Sequence, residues 1–218
     1  MQVIFFNGSP RNNGTTATLL KKAQEGAASQ GAKTELIQLN QLKMKGCQSC
    51  YSCKKRGGKS FGKCALVDDM TPLYERIEQA NAIFLGSPIY FGTVTAAAKM
   101  FIERLFPYLS YSKPRSSIFP RKIFIGLIFT MGVEKPIMEK EYRPNIQFYQ
   151  NVLSDLLGHA ESIISTDTLH VRDYSEIVAD WMEAQAERKS EHQRTIFPLD
   201  CEKAYKMGAR FALPNKVQ

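Results

Sequence analysis

Short apolar runs alternate with amphipathic stretches along most of this chain. Residues 2–6, QVIFF, are an apolar run ending at Asn7-Gly8, which predicts a buried strand. Residues 15–30 are rich in Ala, Leu, Lys and Gln and predict a helix closed by Gly31. TELIQL at 34–39 alternates and predicts a second strand nearer a sheet edge. A helix is expected from about 69 to 79, a strand AIFLGS at 82–87, a helix over about 95–108 and a strand KIFIGLIF at 122–129. Residues 136–157 read as largely helical, kinked or split by Pro144. ESIISTDTL at 161–169 is the fifth strand. Asp173, with Glu176 three residues on, resembles a capping box opening a helix to about 192, and residues 190–218 read as less regular.

Apolar strands separated by helices argue for an α/β fold with a parallel sheet covered on both faces. Right-handed crossovers make this a doubly wound three-layer sandwich with a five-stranded parallel sheet. The expected division is one domain over residues 1–170, with residues 171–218 a helical extension of it. In such sheets ligands bind beyond the carboxyl ends of the strands, where strand order reverses. The loops leaving strands one, three and four therefore carry the chemistry to read.

Composition narrows the class. At 218 residues, 44% apolar and 23% charged, the chain can bury one large core and is not disordered as a whole. Its longest apolar run, IFIGLIFTMG at 123–132, has the length of a buried strand, not the roughly 20 residues of a membrane helix, so no membrane partner is expected. MQVIFFNGSPRNNG has no basic leader and too short an apolar run for an export signal, which predicts a cytoplasmic location. Thiols stay reduced there, so clustered cysteines point to metal or redox work over structural disulfides. The net charge of +8 suits anionic ligands and serves solubility equally well. No zinc-finger or RNA-recognition pattern is present, and nucleic acid is not an expected partner.

The loop after the first strand reads NGSPRNNGTT from Asn7 to Thr16. It joins a buried strand to a helix N-terminus, where free N–H groups and the helix dipole attract a phosphate. Ser9, Thr15 and Thr16 add hydroxyls and Arg11 a planar cationic fork. The Walker and dinucleotide patterns are both absent. A hydroxyl-rich loop with one arginine suits a terminal phosphate monoester; the alternative is a ligand-free helix cap. The third strand ends in GSPIYFGT, residues 86–93, a rigid turn able to present amides and flat apolar groups to a planar ring. Taken alone it reads as a core-lining turn with Tyr90 and Phe91 buried. The fourth strand ends in Phe129-Thr130-Met131-Gly132, small and flexible enough to approach a ligand.

Together, GSPRNNGTT and DDMTPLYERIEQANAIFLGSPIYFGTVTAAAKMFIERL resemble the flavodoxin-like NAD(P)H-dependent FMN reductases. With the cysteines between them, the chain is most similar to the iron–sulfur flavoprotein branch. The resemblance covers roughly residues 2–130 and implies a flavodoxin-like fold that binds FMN. It implies that Ser9, Arg11, Asn13, Thr15 and Thr16 hold the FMN phosphate. It implies that Pro88, Ile89, Tyr90, Phe91 and Gly92 line the isoalloxazine, and that Thr130, Met131 and Gly132 close its other edge. It also implies a homodimer or homotetramer with flavins near subunit interfaces. Glu103 stands where that pattern has an aspartate, and the C-terminal stretch matches nothing in it.

The stretch GCQSCYSCKKRGGKSFGKC, residues 46–64, holds four of the five cysteines. C-x2-C-x2-C is a run that wraps one face of a cubane cluster, with a fourth cysteine arriving from elsewhere. Cys47, Cys50, Cys53 and Cys64 are accordingly read as [4Fe–4S] ligands. Metal-free thiols and a zinc site are the alternatives, the latter weakened because Cys64 has no partner knuckle and the stretch no histidine. Flavin carries its own chemistry, so no acid–base dyad is required. His159, His170 and His192 stand apart and read as surface or packing residues. The expectation is an FMN-dependent oxidoreductase that relays electrons between FMN and the cluster, with ferredoxin or NAD(P)H as electron partner. The alternatives are a cluster-free NAD(P)H-dependent reductase of flavin, quinone or nitro acceptors, and a non-enzymatic flavin- or nucleotide-binding redox sensor.

Overall fold

The computed structural model describes residues 1–171 and 173–213. Strands β1 (Gln2–Asn7), β2 (Lys33–Gln38), β3 (Ala82–Tyr90), β5 (Ile123–Thr130) and β6 (Gly158–Ser165) form a parallel sheet in the order β2-β1-β3-β5-β6. The two-residue β4 (Thr93–Val94) runs antiparallel to the end of β3. Strand order reverses between β1 and β3, which puts the ligand crevice at their carboxyl ends.

The strands are apolar at consecutive positions because both faces are covered. In β1, Val3 and Phe5 enter one core while Ile4 and Phe6 enter the other. The first core lies beneath α1 (Thr15–Ser29) and α8 (Phe197–Phe211). The second lies beneath α2 (Thr71–Gln79), α3 (Ala96–Glu103) and α5 (Arg143–Leu157).

Four expectations need correction. Residues 197–211, read as irregular, form a helix as long as α1, with Phe197, Ala204, Met207 and Phe211 at helical spacing on its buried face. It packs against α1 at van der Waals limits: a Cβ on Gly208 would stand 1.9 Å from the Ala23 carbonyl oxygen, and one on Gly26 2.0 Å from that of Tyr205. The fifth strand begins earlier and stops at Ser165, leaving 166–169 as loop. Gly158, at φ 140°, turns the chain straight from α5 into β6 without a connecting loop. The segment 136–157 does divide beside Pro144, but the break is a wide π turn, Met138–Tyr142, following the short α4 (Lys135–Ile137); Pro144 itself sits in the first turn of α5, where its missing N–H costs nothing. Asp173 caps only a 3-10 turn, accepting from the Ser175 N–H at 2.9 Å, and the single helix expected there is broken into α6 (Asp180–Glu183) and α7 (Ala186–Thr195). No helix among the described residues is long and apolar enough to cross a membrane.

Candidate functional site

Loops from four strands enclose a cleft of about 830 Å³ at the carboxyl edge of the sheet. Ser9, Arg11, Asn13, Thr15, Thr16, Pro88, Ile89, Tyr90, Thr130, Met131 and Gly132 all line it, so eleven of the thirteen residues expected around a flavin come together.

The first wall is the loop between β1 and α1. Asn7 accepts from the Ser9 N–H at 3.0 Å, and Ser9 Oγ accepts from the Arg11 N–H at 3.1 Å, so side chains hold the loop's shape. Thr95 anchors it from α3 by donating to the Gly8 carbonyl at 2.7 Å. Helix α1 starts at Gly14, which provides no side-chain cap, and its first turn has no acidic residue. Its opening N–H groups therefore face the cleft without an intramolecular acceptor, as an anion site requires. Thr16 is buried and its hydroxyl is hydrogen-bonded to that of Thr130 at 2.7 Å, tying the start of α1 to β5. Lys21 donates to Asn13 Oδ1 at 3.3 Å. Arg11 Nη1 reaches across the cleft to the His170 carbonyl at 2.6 Å.

The second wall is the end of β3. Pro88, Ile89 and Tyr90 line the cleft, but Phe91 and Gly92 do not. They form the two-residue turn into β4, with φ 48° and 82°. Positive φ at both positions gives the turn the twist a tight hairpin needs. Asn145 holds it by donating to the Gly92 carbonyl at 2.7 Å, and Thr93 is bonded to the Tyr149 hydroxyl at 2.7 Å. The reading of this stretch as a core-lining turn fails: Phe91 is 108% exposed and Tyr90 48%. A bulky residue held left-handed and in water serves no folding purpose. Phe91→Asn, which tolerates that conformation, is expected to raise unfolding free energy by about 1 kcal/mol in urea titrations.

The third wall combines the loops after β5 and β6. Met131 N–H donates to Ser165 O at 3.0 Å, Thr168 N–H to Met131 O at 3.1 Å and Asp167 N–H to Val133 O at 2.7 Å. Lys189, fully buried on α7, bonds Asp167 at 2.8 Å and the Gly132 carbonyl. Sequence reasoning missed Thr168, Leu169, His170, Val171, Gln193 and Phe197, all of which line the cleft. Misplacing the fifth strand over 161–169 hid the first two. The loop leaving that strand also lies at the carboxyl edge, a signal that was available.

The cysteine loop lies between β2 and α2. Cys47, Cys50, Cys53 and Cys64 all line one pocket, with Glu103, Arg104 and Phe106 around it. Ser49 and Tyr51, on either side of Cys50, are both left-handed, at φ 52° and 55°. A left-handed backbone costs energy at a non-glycine residue. Tyr51 packs on Phe106 and Tyr111, and Lys54 donates to the carbonyls of Pro107 and Leu109 over the Phe106 ring.

A buried fork closes the loop's two ends. Arg104, 1% exposed, holds Asp68 at 2.5 and 3.1 Å and donates to the Lys45 carbonyl at 2.9 Å. Asp68 also accepts from the Lys45 and Met70 N–H groups. This fork brings Cys64 back beside Cys47 across the intervening chain. A backbone N–H from Ser52 lowers the pKa of the exposed Cys50 thiol. Burial raises that of Cys53, with Lys54 offsetting part of the effect. Among the described residues, no three His, Cys, Asp or Glu side chains converge as one metal ion would require.

A family model, NADPH-dependent FMN reductase, matches residues 1–134. The chain is 38% identical over 107 residues to an iron-sulfur flavoprotein of Methanocaldococcus jannaschii, covering 49% of this chain and 53% of that protein. It is 32% identical over 108 residues to an iron-sulfur flavoprotein of Archaeoglobus fulgidus, covering 50% and 47%. The chain thus spans about half the length of the curated relatives it matches. In fold it is similar to an NAD(P)H:quinone oxidoreductase from Methanothermobacter marburgensis, with TM-score 0.69, 15% identity and 99% and 98% of the two chains covered. It is also similar to a flavodoxin from the domain Archaea, with TM-score 0.51, 10% identity and 97% and 96% covered. The fold is flavodoxin-like, and the chain belongs to the NADPH-dependent FMN reductase family.

Proposed function

We propose that this protein is an FMN-dependent oxidoreductase that passes electrons from a reduced donor to an acceptor. The observation that carries this reading is the cleft itself. An uncapped helix N-terminus with an arginine stands at one end, and apolar, aromatic and small residues from β3 and β5 stand along the rest. That order matches a phosphate monoester followed by a planar ring. Bound FMN supplies hydride and single-electron chemistry. The chain's own part is binding and placement. The first N–H groups of α1, with Ser9, Arg11, Asn13 and Thr15, hold the phosphate. Pro88, Ile89 and Tyr90 brace the ring, and Thr130, Met131 and Gly132 close its edge.

A second reading concerns the cysteines. Four sulfur donors around one pocket, with strained left-handed residues on either side of Cys50, fit a [4Fe–4S] cluster. The relatives' name, iron-sulfur flavoprotein, favours the same assignment. Lys55, Arg56, Lys59 and Lys63 beside the thiols suit an acidic protein carrier such as ferredoxin, and NAD(P)H is the small-molecule donor of choice. A cytoplasmic location is part of this reading, because a thiol cluster used for redox or metal work suits a reducing compartment. The exposed Phe91 and Tyr90 at the cleft's rim suit a second copy of the chain in a homodimer or homotetramer.

Protein purified without oxygen is expected to show flavin absorption, to contain one FMN per chain, and to carry iron with acid-labile sulfide. NADPH oxidation on adding a quinone supports the enzyme; flavin without iron reduces the reading to a cluster-free reductase. Flavin that no donor reduces leaves a redox sensor, and a colourless protein overturns both assignments.

A further inference from the structure

Beyond Gly132 the cleft is walled by residues outside the matched family region, and one of them has the chemistry of a donor. His170 lines the cleft, and all but one of its polar groups are bonded elsewhere. Its carbonyl accepts from Arg11 at 2.6 Å, its N–H donates to the Tyr174 hydroxyl at 3.2 Å, and Nδ1 lies 3.1 Å from that same hydroxyl. Tyr174 is 4% exposed, so its own proton needs an acceptor. Nδ1 is the one acceptor bonded to that hydroxyl among the described residues. The phenol therefore donates to Nδ1, and the proton of the neutral ring sits on Nε2. Nε2 lies over Gly132, on the side where a Cβ would stand 2.2 Å away.

The geometry assigns His170 as the hydrogen-bond donor of this wall, its Nε2–H serving a carbonyl oxygen that gains negative charge when the cleft's ring system, or an acceptor lying over it, is reduced. This rests on the flavin reading above. The charged groups facing the ring keep it neutral. Burial lowers its pKa first, Lys189 on α7 and Arg11 from the phosphate loop lower it further, and Asp167 alone opposes them. A neutral imidazole stabilises developing oxyanion charge without delivering its proton elsewhere. The placement also explains Gly132, because any side chain there would displace His170.

The test titrates oxidised FMN, and FMN reduced with dithionite, into full-length protein freed of flavin, and adds steady-state kinetics with p-benzoquinone after reloading. His170→Leu removes the donor, and His170→Gln retains one. If the donor serves the flavin, Leu weakens reduced FMN about tenfold more than oxidised FMN, and Gln restores most of the difference. If it serves the acceptor, the two affinities keep their ratio, and kcat/KM for benzoquinone falls about tenfold in Leu and recovers in Gln. Tyr174→Phe, which frees the proton to move to Nδ1, gives a partial loss of the same kind. A Leu variant equal to wild type in both measurements overturns the assignment. So does a uniform loss for both FMN forms and the quinone that Gln does not rescue, since that reports packing alone. Wild-type protein that binds neither form of FMN overturns the flavin reading first and the assignment with it.

Discussion

Gly14→Asp is expected to reduce FMN affinity at least a hundredfold while leaving the fold slightly more stable. The two effects have opposite signs because they use the same N–H groups. Gly14 occupies the N-cap of α1 with extended backbone, φ −83° and ψ −179°, which an aspartate adopts without strain. Its new Cβ would stand 3.2 Å from the Arg11 Cβ, a tight contact relieved by a shift of the exposed loop of a few tenths of an ångström. The carboxylate would then accept from the first-turn N–H groups and complement the helix dipole, a gain of a few tenths of a kcal/mol over glycine. A phosphate arriving at that site would find its donors taken and a negative charge in place. Losing charge-assisted hydrogen bonds of about 1.5–3 kcal/mol each sets the scale of the affinity loss. Fluorescence titration with FMN and urea unfolding of the apoprotein measure the two halves. Unchanged FMN affinity would remove the α1 N-terminus as the phosphate site.

Arg104→Leu is expected to cost about 3 kcal/mol and to abolish iron incorporation. Breaking one side of a buried ion pair costs about 3–5 kcal/mol, and the lower end applies because the Asp68 side chain keeps 15% exposure. Leucine fills the space but leaves the Asp68 carboxylate and the Lys45 carbonyl without the guanidinium. The ends of the cysteine loop then separate, and Cys64 leaves the other three thiols. The acid dependence checks the cause. Burial alone would raise the Asp68 pKa, but the bond from Arg104 and the N–H groups of Lys45 and Met70 outweigh it and hold it low. A folded-state pKa below the unfolded one contributes stability above the ordinary carboxylate range, and that contribution is lost as pH falls through the folded value. The stability gap between wild type and variant is therefore widest at neutral pH and narrows below about pH 4. Urea midpoints across that range, with iron assays at pH 7, test this. A gap that does not change with pH would mean the arginine acts through packing alone.

The legible and illegible parts of this molecule divide along physical lines. The central strands and α1 were readable because each satisfies a local rule: apolar runs of strand length, and helical spacing closed by Gly31. The loop from Ser9 to Thr16 was readable as part of one cleft wall because its polar groups are consecutive in sequence. The C-terminal half was misread where local signals compete. Asp173 offered a cap, and it caps only one turn. The apolar positions of α8 are few and interrupted by charge, and they become core only where they meet α1 at Gly208 and the rings of Phe84 and Phe124 on the sheet. Phe91 reads as a buried aromatic by composition, yet the turn that β4 imposes drives it into solvent.

The amino-acid order by itself determined the parallel sheet, the hydroxyl-rich loop between β1 and α1 and the spacing of the first three thiols, because each depends on neighbours within a few residues. Tertiary structure decided the rest. The buried Arg104–Asp68 fork returns Cys64 to the other cysteines. The packing of α7 and α8 sets Gln193 and Phe197 in one cleft with the loop after β1, and Lys189 against the loops after β5 and β6. The turn of Tyr174 onto His170 converts an isolated histidine into an oriented donor. Apart from His170 and Tyr174, which are four residues apart, these arrangements join groups well separated in sequence, and burial and hydrogen bonding hold them where no local spacing could announce them.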